Sequence, residues 1–443
     1  MDEQKRQMKY SIVLDIVGLE HGHLDSGLLP NIAKLAESGE SASLEPVFPA
    51  VTCTVQASML SGKYPRDHGI VANGLYDRDT HSVSFWEQPS SLVRAERAWD
   101  VARRNGAKTA ALFWQNTMYA NSDIVVTPRP IHLDDRMVMW CYSRPAGYYE
   151  KLKEKFGEFD LSSYWGPLAS AKSSEWIANA AEYTLENERP NMLFVYIPHV
   201  DYSAQRFGKD APQVRDDVKK ADEIVGRIVD KASKMGITDQ VQFTIVSEYG
   251  FNAVKGAVPL NLVLREAGLL SVRIIQGKEY LDLEYSKAFA MVDHQVAHIF
   301  AKDEFAREAR KVLEATAGVD TVLDAEGKKK LGIDHSRSGE LLAIAERDRW
   351  FSYYWWHNEN SAPDFARRVD IHRKPGYDPV ELFFDPKTRS IPLDPSLVKG
   401  SHGRPPDQAT GEGLAFYASS VRHGIAKSGV AKCTDIMQTM VAA

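Results

Sequence analysis

Tyr10-Ser11-Ile12-Val13-Leu14-Asp15-Ile16-Val17-Gly18-Leu19 is an apolar run interrupted by a single carboxylate. It reads as a buried strand ending near Asp15. A charge at the margin of a core is costly unless it has a task, so Asp15 is a candidate for chemistry. Outward from this run, apolar segments alternate with amphipathic ones, the signature of βα repetition. The expected fold class is therefore α/β, a mostly parallel central sheet with helices on both faces.

The periodicity predicts helices over 28–39, 52–62, 98–105, 175–187 and 215–234, each with its own stop or amphipathic face. Strands are expected over Thr109–Trp114, Met192–Ile197 and Val241–Val246, and the core pattern returns at Phe416–Ser419 and in a last helix over 434–440. Between about 270 and 395 the texture changes. Charge and proline rise, Ala288–Phe300 reads as strand with a polar interruption, and Trp350-Phe351-Ser352-Tyr353-Tyr354-Trp355-Trp356 forms an aromatic run. The expected organisation is a catalytic core of 1–269 and 396–443 with an inserted cap subdomain over 270–395. The aromatic run is expected to be core or subdomain interface before it is a stacking platform.

Composition narrows the function. The 443 residues are 44% hydrophobic and 26% charged, with a formal charge of −6. That balance creates no global positive field for a nucleic-acid polymer or an anionic membrane. Nothing approaches the roughly 20 apolar residues of a membrane span, and the charged start Met1–Lys9 does not lead into a signal-like segment. Three cysteines (Cys53, Cys141 and Cys433), none in a CxxC pair, fit a reducing cytoplasm and argue against a thiolate zinc site.

Asp15, Asp201 and Glu248 are all placed at the carboxyl ends of strands, where open α/β sheets collect their active sites. Each alone reads as a helix cap or a solvated turn. Together, and with Phe48-Pro49-Ala50-Val51-Thr52-Cys53 entering a helix, they read as a site. Thr52 is expected at a surface cleft. An isolated Thr there would be an N-cap, but free N–H groups and a positive dipole end also suit a phosphate oxyanion. Thr is a weak nucleophile until a metal or base takes its proton.

These residues, with Leu29-Pro30-Asn31-Ile32, Ser61-Gly62-Lys63-Tyr64-Pro65-Arg66-Asp67-His68-Gly69-Ile70, Asn73, Tyr76-Asp77, Val241–Gly250 and Ser401-His402-Gly403, resemble the nucleotide pyrophosphatase/phosphodiesterase branch of the alkaline phosphatase superfamily. The resemblance implies an alkaline-phosphatase-like fold and hydrolysis of a small phosphorylated substrate through a phosphothreonine formed on Thr52. It implies two divalent metals, one on Asp15, Thr52, Glu248 and Tyr249, the other on Asp201, Gln205 and His402. It places Asn73 and Tyr76 at substrate-binding positions. A phosphomonoesterase, a phosphonate hydrolase and a non-catalytic binder of a phosphorylated ligand share the scaffold and stay open.

Three positions depart from the family. Its Asp-His pair is Glu248-Tyr249, a second histidine is Gln205, and its transition-state asparagine is Val55. An oxygen-rich donor set shifts the expected metal from Zn toward Mn, Mg or Fe. His199, His294, His298, His335 and His372 are the nitrogens available to compensate. His199 would share a face with Asp201 if both lay in a strand.

Overall fold

The computed structural model of the chain describes residues 8–134 and 137–441. Most of the charged segment read as Met1–Lys9 lies outside the described residues. The opening run forms strand β1 (Tyr10–Ile16), buried from Ser11 onward. It sits inside a nine-stranded sheet with β2 (Glu40–Glu45), β3 (Thr109–Leu112), β4 (Ile124–Pro128), β5 (Cys141–Arg144), β6 (Met192–Ile197), β7 (Val241–Val246), β8 (Ala415–Ser419) and β9 (Val430–Lys432). Their spatial order is β9-β2-β8-β7-β1-β6-β3-β4-β5. The five strands from β7 to β4 run parallel, while β8 and β5 pair antiparallel with their neighbours.

Strands β6 and β7 are buried at every position, as expected when helices cover both faces of a parallel sheet. Helices α1 (Pro30–Ser38), α4 (Ala171–Glu188), α5 (His199–Phe207) and α6 (Pro212–Lys234) pack among themselves as one layer. Helices α2 (Thr52–Ser61), α3 (Ala98–Arg104) and α7 (Ile436–Val441) form another. Except for α5, which the periodicity did not predict, these helices occupy the expected segments, with ends shifted by a few residues where caps and frayed turns decide the boundary.

Register explains why distant residues meet. Asp15 on β1 is level with Tyr196 on β6 and with Val246 on β7. Glu248 therefore leaves the sheet two residues beyond Asp15's level, at the same edge. Asp201 leaves there too, but in the first turn of helix α5 rather than in a strand. That helix overturns the expectation of a shared face with His199, because residues two apart point to nearly opposite sides of a helix.

The 288–300 run is a hairpin, Ala288–Asp293 with Val296–Ala301, turning at His294 with φ 60°. It belongs to a four-stranded antiparallel sheet completed by Leu341–Ala345 and Val319–Leu323. The aromatic run from Trp350 to Trp356 is buried throughout, and Phe351, Tyr353, Tyr354, Trp355 and Trp356 fill this region's own core. That core also takes Ala72, Phe85, Val258, Leu260 and Leu264 from outside 270–395.

Candidate active site

Thr52 is the first residue of helix α2, and the capping position belongs to Val51, which makes no side-chain cap. The hydroxyl is thus not spent on its own helix. Its Oγ1 lies 3.0 Å from the Tyr249 hydroxyl, and Thr52 is among the neighbours that favour the ionised form of Glu248. Every residue of α2 is buried, Thr52 at 3% exposure, so the expected surface cleft is corrected to an interior position.

One helical turn beyond Thr52, Gln56 faces the same way. Its Oε1 accepts the Gln115 backbone N–H at 2.7 Å, which fixes the orientation of the amide. Nε2 then donates to Asp15 Oδ2 at 3.0 Å and to Glu248 Oε1 at 2.7 Å. The remaining oxygens, Asp15 Oδ1 and Glu248 Oε2, are buried with no other partner. Asp15 and Glu248 sit close enough that each alters the other's proton affinity. Burial first, and then the Glu248 charge, hold Asp15 well above the carboxylate range. Burial raises Glu248 as well.

Across Tyr249 lies the second half of the cluster. Asp201 accepts from Gln205 Nε2 at 2.6 Å and from the Tyr249 hydroxyl at 3.3 Å. Burial, then the charge of Glu248, push its carboxyl up to about 7. Gln205 Oε1 accepts from the Tyr377 hydroxyl at 2.9 Å, so its carbonyl is already engaged. His402 Nδ1 lies 2.7 Å from the Ala50 carbonyl, an acceptor only, so Nδ1 carries the proton and Nε2 is bare. That Nε2 is 3.8 Å from Asp201 Oδ1.

Four rings stack over this half. Tyr249 lies on His402 at 3.4 Å between centroids, His402 on His294 at 3.8 Å, and His294 on Tyr377 at 3.7 Å. His294 donates Nδ1–H to Asp293, whose carboxylate also accepts the backbone and side-chain N–H groups of Asn73. Burial pushes Asp293 up to about 7.

Seven of the residues singled out in the sequence therefore meet: Asp15, Thr52, Asp201, Gln205, Glu248, Tyr249 and His402. Asn73 lies beside them with its polar atoms committed, since its Oδ1 also accepts the Cys53 N–H. Tyr76 is elsewhere, its ring against Phe289 and Phe300 and its hydroxyl on His81. Of the buried histidines, His199 is held by Ser174 and the Asp217 carbonyl, and His298 by the Val71 carbonyl and the Gly339 N–H. His335 is half-buried and accepts from the Arg337 N–H, while His372 is exposed. Gln56, Gln115 and Tyr377 were not among the candidates. The spacing of four from Thr52 was a signal for Gln56. Nothing local marks Tyr377, which lies 172 positions from its partner Gln205.

The donor set was tested against a pair of cations. Among the described residues, no three His, Cys, Asp or Glu side chains converge with metal-ligand spacing. The Gln56 N–H group lies between Asp15 and Glu248, the Gln205 N–H group lies on Asp201, and burial raises the Tyr249 phenol well above its usual range, keeping it neutral. The expected ligand residues thus assemble, with neutral donors on Asp15 Oδ2, Glu248 Oε1 and Asp201 while Asp15 Oδ1, Glu248 Oε2 and His402 Nε2 have no partner, and as arranged they do not fit two ions.

A family model described as type I phosphodiesterase/nucleotide pyrophosphatase matches residues 11–378. An uncharacterized pyrophosphatase/phosphodiesterase of Schizosaccharomyces pombe is 25% identical over 54% of this chain and 44% of that protein. Ectonucleotide pyrophosphatase/phosphodiesterase family member 1 of Rattus norvegicus is 24% identical over 60% of this chain and 26% of its own length. The chain thus spans less than half the length of these relatives. Among solved structures, phosphonoacetate hydrolase from Sinorhizobium meliloti in complex with phosphonoformate superposes with a TM-score of 0.62 at 16% identity, covering 98% of this chain and 96% of that one. Murine ectonucleotide pyrophosphatase/phosphodiesterase 5, an inactive variant in complex with AMP, gives 0.61 at 16%, covering 98% and 95%. At that identity the likeness concerns the fold, which is alkaline-phosphatase-like.

Proposed function

Since the chain belongs to the type I phosphodiesterase/nucleotide pyrophosphatase family, we propose that it hydrolyses a small phosphate or phosphonate ester, with Thr52 as nucleophile and Glu248 as its base. The observation that carries this reading is the Thr52 hydroxyl, 3.0 Å from Tyr249 at the start of a buried helix and beside the Glu248 carboxylate. In the reaction the Thr52 hydroxyl turns to Glu248, and the Tyr249 O–H donates to Thr52 Oγ1 or to Asp201. As the Thr52 oxygen attacks phosphorus, its proton passes to Glu248, the leaving group departs with the bonding pair, and phosphothreonine forms. Protonation of Glu248 also removes one negative charge as the phosphoryl group arrives. Water then attacks phosphorus, the Thr52 O–P bond breaks as Glu248 returns its proton to the Thr52 oxygen, and the water protons leave on the released phosphate or to solvent.

The expectation of Mn, Mg, Fe or Zn at this site supplies no step here, because the donor set does not fit two ions. The substrate class follows the ligands named for the structural neighbours, phosphonoformate and AMP. Residues 270–395 are proposed as the cap over the site: Tyr377 and His294 come from this range and close the ring stack. The three free, buried cysteines support a reducing compartment, proposed as the cytoplasm. No helix among the described residues is long and apolar enough to cross a membrane.

A second reading, a binder without turnover, draws on the burial of Thr52 and of the carboxylates around it. Acid quench of the enzyme with an aryl phosphodiester, followed by peptide mass spectrometry, separates the two. A phosphate on Thr52, absent in Thr52→Ala, is expected. Binding of phosphonoformate or AMP without turnover or phosphothreonine would refute hydrolysis.

A further inference from the structure

The three carboxylates that the family resemblance assigns to cations accept here from neutral groups, and each of those groups is held in place by a second contact. Gln56 is oriented by the Gln115 N–H at 2.7 Å and donates to both Asp15 and Glu248. Gln205 is oriented by the Tyr377 hydroxyl at 2.9 Å and donates to Asp201. Tyr249 is fixed by its stack on His402 and by Thr52, and donates to the other oxygen of Asp201.

An amide nitrogen at 2.7–3.0 Å from two carboxylate oxygens takes the space between them. An ion bound between Asp15 Oδ2 and Glu248 Oε1 at about 2.0–2.2 Å would need those same lone pairs, leaving it only the unpartnered Asp15 Oδ1 and Glu248 Oε2. Admitting it there would swing Gln56 away and leave the buried Gln115 N–H without an acceptor, which is unfavourable. The carbonyl oxygen of Gln205, the atom that would ligate, already accepts from Tyr377.

We propose that neutral donors replace both ions in this chain: Gln56 stands between Asp15 and Glu248, Gln205 and Tyr249 saturate Asp201, and the folded site is metal-free. The proposal rests on the family reading of these positions as ligand positions. It does not rest on turnover, so a protein that holds no metal and hydrolyses nothing refutes the proposed activity while leaving this inference standing.

The test is elemental analysis of the full chain, purified without chelator from cells supplied with Zn, Mn and Fe. Thermal melts with and without added Zn²⁺, Mn²⁺ and Mg²⁺ accompany it. Far less than one equivalent of any metal and no cation-dependent shift in melting temperature are expected. A stoichiometric metal that chelation removes together with stability, or a saturable stabilisation by any of these ions, overturns the proposal. The Gln205→His/Tyr249→His double variant restores two imidazoles beside Asp201 and His402, and is expected to take up zinc that the wild type refuses. Equal uptake by both proteins also overturns it, and a variant that does not fold leaves the wild-type measurement to decide.

Discussion

Replacing Asp201 with Asn is expected to stabilise the protein at alkaline pH, against the usual direction for a change in a buried polar cluster. Burial raises this carboxyl from 3.8 to about 7. Below pH about 4 it is protonated in both the folded and the unfolded chain, and its contribution is fully present. As pH rises from about 4 to about 7 the unfolded chain releases the proton and the folded one keeps it, so stability falls; above about 7 the loss is complete. Roughly three units at 1.36 kcal/mol each make the buried charge cost about 4 kcal/mol at pH 8.5. Asn removes that cost and keeps the shape. Its Oδ1 can still accept from Gln205, and its amide can donate to Tyr249, which turns its own proton to Thr52. One imperfect hydrogen bond takes back about 1 kcal/mol, leaving a gain of roughly 3 kcal/mol. With an unfolding entropy near 2.1 cal/mol/K per residue, that is about 3 °C in melting temperature. Melts of both proteins from pH 5 to 8.5 should show the gap opening with pH. A variant less stable than wild type at pH 8.5, or a difference that does not vary with pH, refutes the reasoning. A cation neutralising Asp201 would produce the first of these outcomes.

Turnover should fall on the acid side with an apparent pKa above the usual glutamate value of about 4.3, because burial holds the Glu248 base up; Glu248→Gln should abolish turnover across the whole pH profile. Lys374 is buried between Asp378 at 2.8 Å and Glu381 at 2.6 Å, so Lys374→Met leaves two uncompensated carboxylates and should cost about 3–5 kcal/mol by denaturant melts, a loss under 1 kcal/mol counting against it. A Cβ on Gly376 would stand 2.6 Å from Val292 Cγ2 and 2.8 Å from Tyr353 Cβ, so Gly376→Ala should cost about 1–3 kcal/mol; an unchanged melting temperature would show that the Tyr377 segment can shift.

The sheet and its helices were legible because burial on both faces writes itself as continuous apolar runs, and amphipathic helices as a period of 3.6. β1, β6 and β7 were readable in this way, and so was Thr52 at a helix start. Motif order carried the family and, through it, the grouping of the seven site residues. What local pattern could not say was the direction of single side chains. His199 looked like a neighbour of Asp201 under strand geometry, and one helical turn sends it to Ser174 instead.

The roles of the amides and of Tyr249 belong to tertiary structure for the same reason. Whether Gln205 offers its oxygen or its nitrogen to Asp201 depends on a hydroxyl 172 positions away, and whether Gln56 donates to two carboxylates depends on the backbone N–H of Gln115. The sequence by itself determined the architecture, which follows from periodicity, and the set of site residues, which follows from the family's motif order. Only the packed structure decided that these carboxylates meet in a buried interior and accept from the amides of Gln56 and Gln205. Hydrogen-bond partners and desolvation are properties of what surrounds a group in space, and its neighbours in the chain do not specify them.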